Sequence, residues 1–187
     1  MAGEGGHMSI DSAGPMCGCG KRGCIEMYAS GTAIGRRARQ MLKEDPSSGS
    51  RLLGLVNGDI DAVSGEIVGQ AVRLGDVLAI TVLREAADAL AIWLGNIIDL
   101  LEPEVIVLGG GLAQQMTESL NEIRHKLDTW AINPQQGQIP IVKAVYQAES
   151  GIVGAASLCL SRSRRWLSNW QEKSKVPRKT VARRVTR

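Results

Sequence analysis

Apolar residues repeat at helical spacing through the centre of the chain. Between Asp76 and Leu101 they recur every three or four residues, at Leu78, Val82, Ala86, Leu90, Trp93 and Ile97. This spacing predicts one long amphipathic helix. Shorter runs of the same kind predict helices over 24–43, after a cap at Asp59, and from Met116 to Trp130. The intervening stretch 44–58, which contains EDPSSGS, predicts a loop with a short turn.

Two apolar runs have a different character and predict strands. Val105–Leu108 is a continuous, mostly β-branched run followed by three glycines, which is typical of a buried strand leading into a tight loop. IPIVKAVY at 139–146 predicts a second strand, and ESGIVGAASLCL at 149–160 predicts a closely packed helix of small residues. Residues 1–23 are rich in glycine and predict a loop or hairpin. Strands that alternate with helices indicate an α/β fold.

Composition narrows the class of protein. The 187 residues are 44% hydrophobic, enough for one domain or one large lobe. The start, MAGEGGHMSI, has neither the basic nor the apolar part of a signal peptide. The longest apolar stretch, Ala86–Leu101, carries Asp88 and Asp99 and is too short to span a bilayer. We therefore expect a cytoplasmic protein without membrane contact, where clustered cysteines favour metal binding over disulfides.

Charge distinguishes the end of the chain from the rest. From Ser163 onward there are nine Lys and Arg residues against a single acid, Glu172, whereas the preceding residues carry 13 basic and 18 acidic side chains. The segment 163–187 has no regular apolar spacing. A solvated, flexible extension is therefore favoured over contact with nucleic acid or a membrane.

Three cysteines are crowded among glycines near the start of the chain. Cys17, Cys19 and Cys24 form a C-x-C-x4-C pattern, and His7 lies ten residues before the first of them. Structural zinc takes four thiolate or imidazole ligands, and three cysteines with one histidine are a standard set. Glycines at 18, 20 and 23 would let the backbone bend enough for the thiolates to converge. The pattern predicts a zinc site; the alternative is three reduced cysteines in a flexible loop.

The remaining cysteine and histidine have structural interpretations. Cys159 sits in an apolar segment, which favours a small core residue over a fourth ligand. His125 sits in a charged helical stretch, which favours a surface position.

Taken together, these motifs closely resemble the zinc-binding signature of the ROK family, which contains sugar kinases and transcriptional repressors. The family pattern runs E-x-G-H, then C-x-C-G-x-x-G-C-x-E, then A-S-G. This chain has Glu4–His7, Cys17–Glu26 and Ala29–Gly31 at the matching places. LLEPEVIVLGGGLA resembles the family's nucleotide-side segment, and ESGIVGAASL its final helix. The resemblance covers roughly residues 2 to 160 and leaves the basic tail outside.

The resemblance implies an α/β fold of a particular kind. Residues 1–162 would form an incomplete C-terminal lobe of an actin/hexokinase-like (ribonuclease H-like) fold, and 163–187 a separate basic tail. Within the lobe, 4–31 would be the zinc and sugar loop and 104–113 the nucleotide-side segment. The implied activity is ATP-dependent phosphorylation of a hexose or N-acetylhexosamine, of the glucokinase or N-acetylmannosamine/N-acetylglucosamine kinase type. ATP with Mg²⁺ and a homodimer are implied for the full-length family member.

Roles for individual residues also follow from the resemblance. It implies a structural zinc ion on His7, Cys17, Cys19 and Cys24, sugar contacts from Glu4, His7 and Glu26, and an adenosine border formed by Gly109, Gly110 and Gly111. Each has a plainer interpretation. Glu26 could be a first-turn helix acid favoured by the helix dipole, Glu4 a solvated residue near the terminus, and the three glycines a simple turn.

The groups that transfer phosphate in such kinases are not found in this sequence. It contains no D-x-G-G-T, no G-T-G-x-G-x-G and no Asn-Asp pair, and GNIIDLL at 95–101 places its Asn and Asp in a helix. Phosphoryl transfer depends almost entirely on such positioned groups, so we expect no catalytic residue here and no normal turnover by this chain alone. A truncation, a mis-called start or a separate upstream chain would each account for this.

Two other functions compete with the kinase. The sugar-sensing lobe of a ROK-type repressor would carry the same zinc signature, and only that function would involve nucleic acid. A standalone zinc-binding interaction module, suggested by the basic tail, is the weakest of the three.

Overall fold

The computed structural model describes residues 3–109, 119–146 and 149–160, and it is a mostly helical α/β structure. The helices are α1 (Glu26–Ala29), α2 (Gly31–Glu44), α3 (Ser50–Leu55), α4 (Gly65–Arg73), α5 (Val77–Leu101), α6 (Ser119–Trp130) and α7 (Ser150–Leu160). The strands are β1 (Ile106–Leu108) and β2 (Ile141–Lys143). Single 3-10 turns lie at Gly5–His7, Pro46–Gly49, Ile60–Ala62 and Gln136–Gln138. None of the helices in the described ranges is both long and apolar enough to cross a membrane.

The long central helix predicted from apolar spacing is confirmed, and its start is fixed by Asp76. One carboxylate oxygen of Asp76 accepts a hydrogen bond from the backbone N–H of Ala79 at 2.9 Å, which caps α5. The other accepts from the N–H groups of Arg51 and Leu52 at 3.1 and 2.9 Å. Asp76 is the buried charged residue of the described core, 3% exposed, and it ties α3 to α5.

The predicted helix over 24–43 is divided in two. Ser30 has an extended backbone (φ −87°, ψ 158°), and its hydroxyl oxygen accepts from the N–H of Ala33 at 3.1 Å. A serine cap therefore ends α1 and begins α2, because a residue that caps the next helix cannot itself be helical.

The loop predicted over 44–58 is partly wrong, because it contains the short helix α3. Leu52 is fully buried there, and its N–H is bonded to Asp76. Asp59 caps only a single 3-10 turn, and α4 begins later, with Ser64 accepting from the N–H of Ile67 at 3.3 Å.

The described core consists of two clusters joined by α5. The first packs α2, α3 and α4 on the first half of α5, around Ile34, Leu42, Leu52, Val68, Leu78 and Val82. The second packs the later half of α5 against α6 and β2, around Leu94, Ile98, Ile123, Leu127 and Ile141. Gly95 permits this second contact, because a β-carbon there would lie 2.4 Å from the Trp130 carbonyl oxygen.

The two strands pair in parallel, with Ile106 opposite Ile141 and Leu108 opposite Lys143. The strand predicted at 105–108 forms over Ile106–Leu108, but the prediction that it is buried is wrong: Ile106 and Leu108 are half-buried. Val107 is 52% exposed, because successive side chains of a strand point to opposite faces and its neighbours Ile106 and Leu108 are the ones that pack on the second core cluster. The close packing predicted for the last helix is not found at its described side chains. Ile152 is 75% exposed, and no described atom comes within 4 Å of a β-carbon built at Gly151 or Gly154.

His125 is exposed, as predicted. The predictions for Gly110, Gly111, the Cys159 side chain and the tail 163–187 lie outside the described residues.

Candidate metal centre and its surroundings

The segment before α1 folds back on itself as an irregular hairpin. Isolated antiparallel bridges pair Ser9 with Cys24 and Met16 with Arg22. Between them, the N–H of Ile10 donates to the Gly23 carbonyl oxygen at 2.9 Å. The turn that carries His7 is thereby brought beside Cys24, which confirms the predicted loop or hairpin over residues 3–23.

A tight turn places the first two cysteines. The N–H of Cys17 donates to the Lys21 carbonyl oxygen at 2.8 Å, and the N–H of Gly20 donates to the Cys17 carbonyl oxygen at 3.0 Å. Gly20 has φ +88°, a left-handed conformation that glycine adopts without strain. Gly18 has no such constraint, since a β-carbon there would touch nothing within 4 Å.

The structure brings His7, Cys17, Cys19 and Cys24 together. One ligand atom from each lies within 4.8 Å of all the others. The Sγ atoms of Cys19 and Cys24 are 3.6 Å apart, and the same distance separates Cys17 Sγ from His7 Nδ1. Around a tetrahedral zinc ion with Zn–S bonds of about 2.3 Å, neighbouring sulfurs are about 3.8 Å apart. The donor set and its spacing therefore fit zinc.

The cysteine thiols differ in acidity. The backbone N–H of Lys21 donates to the Cys19 sulfur and lowers the pKa of that thiol. Burial, together with hydrogen bonds to the other two sulfurs, raises the pKa of Cys24 to about 11. A thiol binds metal as the thiolate, so metal binding would release the Cys24 proton. The positive charge of the metal ion would then stabilise the Cys24 thiolate.

Glu26 lies beside the histidine of this cluster. It occupies the first turn of α1, and its Oε2 is 3.4 Å from His7 Nδ1. Its side chain is 50% exposed, so it is accessible from solvent. The helix-dipole interpretation of Glu26 is weakened by the length of α1, which has only four residues.

Glu4 directly precedes the turn that holds His7. Its carbonyl oxygen accepts from the N–H of His7 at 3.1 Å, and the residue is exposed. Of the predicted sugar contacts, His7 and Glu26 therefore lie side by side, and Glu4 is three residues before His7 in the chain. Nδ1 of His7 faces both Cys17 and Glu26, and Nε2 is on the opposite side of the ring.

Trp93 is a residue at this site that sequence reasoning counted only as one step of the α5 pattern. Its indole N–H donates to the Gly5 carbonyl oxygen at 3.1 Å. A half-buried tryptophan N–H usually finds such a partner, so the residue type was a signal. Nothing in the sequence, however, relates residue 93 to residue 5.

A groove of about 740 Å³ lies behind the hairpin, between α1, α2 and α5. Two bonded pairs are among its polar lining residues: Tyr28 donates to Asp11 at 2.8 Å, and Arg37 makes a two-fold contact with Glu85 at 2.7 and 2.9 Å. Burial and the bond to Asp11 raise the pKa of Tyr28 to about 12. The Tyr28–Asp11 bond joins α1 to the hairpin.

Of the three glycines predicted to border a nucleotide, Gly109 lies within the described residues. It follows β1 at the carboxyl end of the strand, and a β-carbon there would be 3.4 Å from the Ala144 β-carbon. The N–H of Ala144 donates to the Leu108 carbonyl oxygen at 2.7 Å, so the two chain segments leave the sheet together.

Comparison with known proteins gives a consistent picture. The model of the ROK family matches residues 1–162. A glucokinase from Streptomyces coelicolor is 33% identical over 159 residues, covering 84% of this chain and 50% of the relative. An N-acetylmannosamine kinase from Yersinia pestis is 34% identical over 158 residues, covering 83% and 46%. This chain therefore spans about half the length of the curated relatives it matches.

Solved structures agree in fold. A ROK family glucokinase from Streptomyces griseus, in complex with glucose and AMPPNP, superposes with a TM-score of 0.77 at 34% identity, covering 84% of this chain and 51% of that one. A ROK family transcriptional regulator, a homologue of the E. coli MLC protein, superposes with a TM-score of 0.64 at 28% identity, covering 76% and 34%.

Proposed function

The chain belongs to the ROK family, and from that premise we propose that it is the C-terminal portion of an ATP-dependent sugar kinase that phosphorylates a hydroxyl of a hexose or N-acetylhexosamine. The relatives named glucokinase and N-acetylmannosamine kinase support this substrate class. The observation that carries the proposal is the convergence of His7 and three cysteines, with Glu26 only 3.4 Å from the same histidine.

The metal part of the proposal is a structural zinc ion held by His7, Cys17, Cys19 and Cys24. When bound, the ion would link the turn that carries His7 to the segment that leads into Glu26. The protein side of this arrangement is already built, since the hairpin hydrogen bonds bring the two segments together. Zinc would make that arrangement rigid, and a rigid pocket loses less entropy when it binds a ligand.

The sugar part assigns hydroxyl recognition to three side chains. Glu26 and Glu4 are exposed carboxylates, and a carboxylate accepts hydrogen bonds from sugar hydroxyls at two oxygens. His7 would use Nε2 for a sugar hydroxyl while Nδ1 faces the sulfurs. The zinc ligand and the sugar contact would then be two faces of one imidazole.

The nucleotide part rests on the loop after β1. Gly109, with Gly110 and Gly111, would let the adenosine of ATP approach the backbone at the carboxyl end of a strand. The AMPPNP in the Streptomyces griseus glucokinase supports a nucleotide in this family. ATP with Mg²⁺ is accordingly the proposed cosubstrate.

The proposed division of the chain is a lobe over residues 1–162 and a tail over residues 163–187. A cytoplasmic location and a homodimer also stay predictions.

The chain alone is not expected to turn over sugar at a normal rate, because its sequence contains neither of the two glycine-rich phosphate loops nor the Asn-Asp pair of such kinases. We expect it to supply the sugar-binding residues and the glycines that border the adenosine of ATP in the complete kinase. Ordinary turnover in a coupled kinase assay with the 187-residue chain would show this part to be wrong.

The second candidate function is the sugar-sensing lobe of a ROK-type repressor. The structural match to a ROK family transcriptional regulator favours it specifically. The two candidates differ in nucleotide binding, because only the kinase needs ATP.

The test measures two ligands on the zinc-loaded chain. Ligand-observed NMR with glucose and N-acetylmannosamine should detect binding that weakens at least about tenfold in Glu26→Gln, the value of a charged hydrogen bond. Glu66→Gln is the matched control, because Glu66 is also an exposed acid in the first turn of a helix. AMPPNP with Mg²⁺ should bind if the chain is a kinase portion, and should not if it is a sensor lobe. Absence of sugar binding by the zinc-loaded protein would remove both candidates.

A further inference from the structure

A single long-range hydrogen bond supports the turn that presents His7. The indole N–H of Trp93, in the middle of α5, donates to the carbonyl oxygen of Gly5, which is 88 residues away in sequence. The same ring limits what can stand at residue 5, because a β-carbon there would lie 3.0 Å from Cζ2 of Trp93. The backbone of the turn therefore lies directly against the indole.

The turn is otherwise held on the hairpin side, where Cys24 Sγ donates to the His7 carbonyl oxygen at 3.5 Å and the N–H of Ile25 donates to the Met8 carbonyl oxygen at 3.0 Å. The Trp93 bond adds a tie to α5. Gly5–His7 is a 3-10 turn without a buried residue, closed by N–H bonds from His7 to Glu4 and from Met8 to Gly5. These bonds shape the turn but do not fix it to the body of the protein. Trp93, in contrast, packs against the second core cluster and is held by α5.

We propose that Trp93 is a positioning residue for His7. By binding the Gly5 carbonyl oxygen, it fixes the turn so that the imidazole faces Cys17 and Glu26. This inference rests on the proposed zinc-centred sugar site and adds a residue from α5 to it. The hydrogen bond of Trp93 goes to the backbone of residue 5, and the proposed effect on His7 is transmitted through that backbone.

The test compares the zinc affinity of full-chain variants by competition with a chromogenic chelator. Trp93→Phe keeps an aromatic ring in the core and removes the N–H. The matched control is Trp130→Phe, at the exposed end of α6, where Trp130 is 47% exposed. Wild type and W130F should bind zinc equally, whereas W93F should bind about threefold to tenfold more weakly, the value of one neutral hydrogen bond.

A second measurement separates positioning from simple core packing. Gly5→Ala should weaken zinc binding in the wild-type chain, because its β-carbon would crowd the indole. In the W93F background the smaller ring leaves space, so Gly5→Ala should cost much less. The two effects are then non-additive, as expected for residues in contact. If Trp93 only packs in the core, the effects of Trp93→Phe and Gly5→Ala on zinc affinity should be additive.

The outcomes distinguish this inference from the proposed function. If wild type binds zinc but W93F binds it equally well and the two substitutions are additive, Trp93 does not position His7 and the metal centre stands. If wild type binds no zinc, the metal centre and the positioning role both fall. Should W93F fail to fold by circular dichroism, Gly5→Ala alone decides: unchanged zinc affinity in that variant contradicts the proposal.

Discussion

The carbonyl oxygen of Asp11 lies 1.7 Å from the position that a β-carbon on residue 23 would occupy. Gly23 also has φ +64°, a left-handed backbone conformation. The two sides of the hairpin thus pass each other at a separation that only glycine permits, one residue before Cys24. The convergence of the proposed metal ligands depends on this contact.

Gly23→Ala should therefore abolish zinc binding. The added methyl group would overlap the Asp11 carbonyl oxygen and force the hairpin open, which moves Cys24 away from His7. Elemental analysis of the purified protein measures the effect. Gly18→Ala is the matched control, because a β-carbon at Gly18 meets nothing within 4 Å. Equal zinc content in the two variants would contradict the described hairpin.

The wild-type chain should purify with about one equivalent of zinc, the stoichiometry of a Cys3His structural site. His7→Ala and Cys24→Ser should each lower the zinc content well below one, since a missing ligand leaves an incomplete tetrahedron. His125→Ala should retain the metal, because His125 is exposed on α6. Zinc should also be lost as the pH falls, because the ligand thiolates become protonated. A zinc content that is unchanged in His7→Ala and Cys24→Ser would contradict the site.

The phenol of Tyr28 should ionise at a higher pH than an ordinary tyrosine. Burial and the hydrogen bond to Asp11 raise its pKa to about 12, above the usual tyrosine pKa of about 10. Because the folded state holds the proton more tightly, the stabilisation is fully present below pH 10 and is lost as the pH rises through 12. Absorbance at 295 nm in Tyr146→Phe isolates this phenol, since the sequence has two tyrosines. Asp11→Ala should lower the midpoint only in part, because burial is the larger cause.

Asp76→Ala should destabilise the protein by about 2–4 kcal/mol. The substitution removes the cap of α5 and leaves the N–H groups of Arg51 and Leu52 without their acceptor. Urea unfolding followed by circular dichroism measures the change in free energy of unfolding. Asp59→Ala, at an exposed cap of a 3-10 turn, should cost about 1 kcal/mol or less. Equal losses in both variants would show that the two extra N–H bonds contribute nothing.

The sequence predicted those elements whose causes are local. Helix α5 was placed within one residue, because its apolar spacing is sustained and Asp76 stands at its start. Helix α3 was missed, because its support comes from the same aspartate about 24 residues later in the chain. The break at Ser30 was missed for a different reason: apolar spacing continues across it, and only the hydroxyl-capped geometry reveals the new helix.

In the candidate metal centre, too, the features with local causes were predicted and the long-range contacts were not. The four proposed metal ligands lie between residues 7 and 24, so their spacing alone predicted that they would meet. The contacts that hold the hairpin to the helices, from Trp93 to Gly5 and from Tyr28 to Asp11, depend on how α5 and α1 pack. No local pattern encodes such pairs, which is why they became visible only with the tertiary structure.

Helix α5 runs unbroken from Val77 to Leu101 and belongs to both core clusters. At about 1.5 Å per residue it is about 38 Å long, and it contains no proline at which it could bend. A hinge between the two clusters would have to break this helix. The hairpin and the strand pair are therefore attached to the same rigid helix. If the protein closes over a ligand, we expect them to move as one body, with the hinge outside α5.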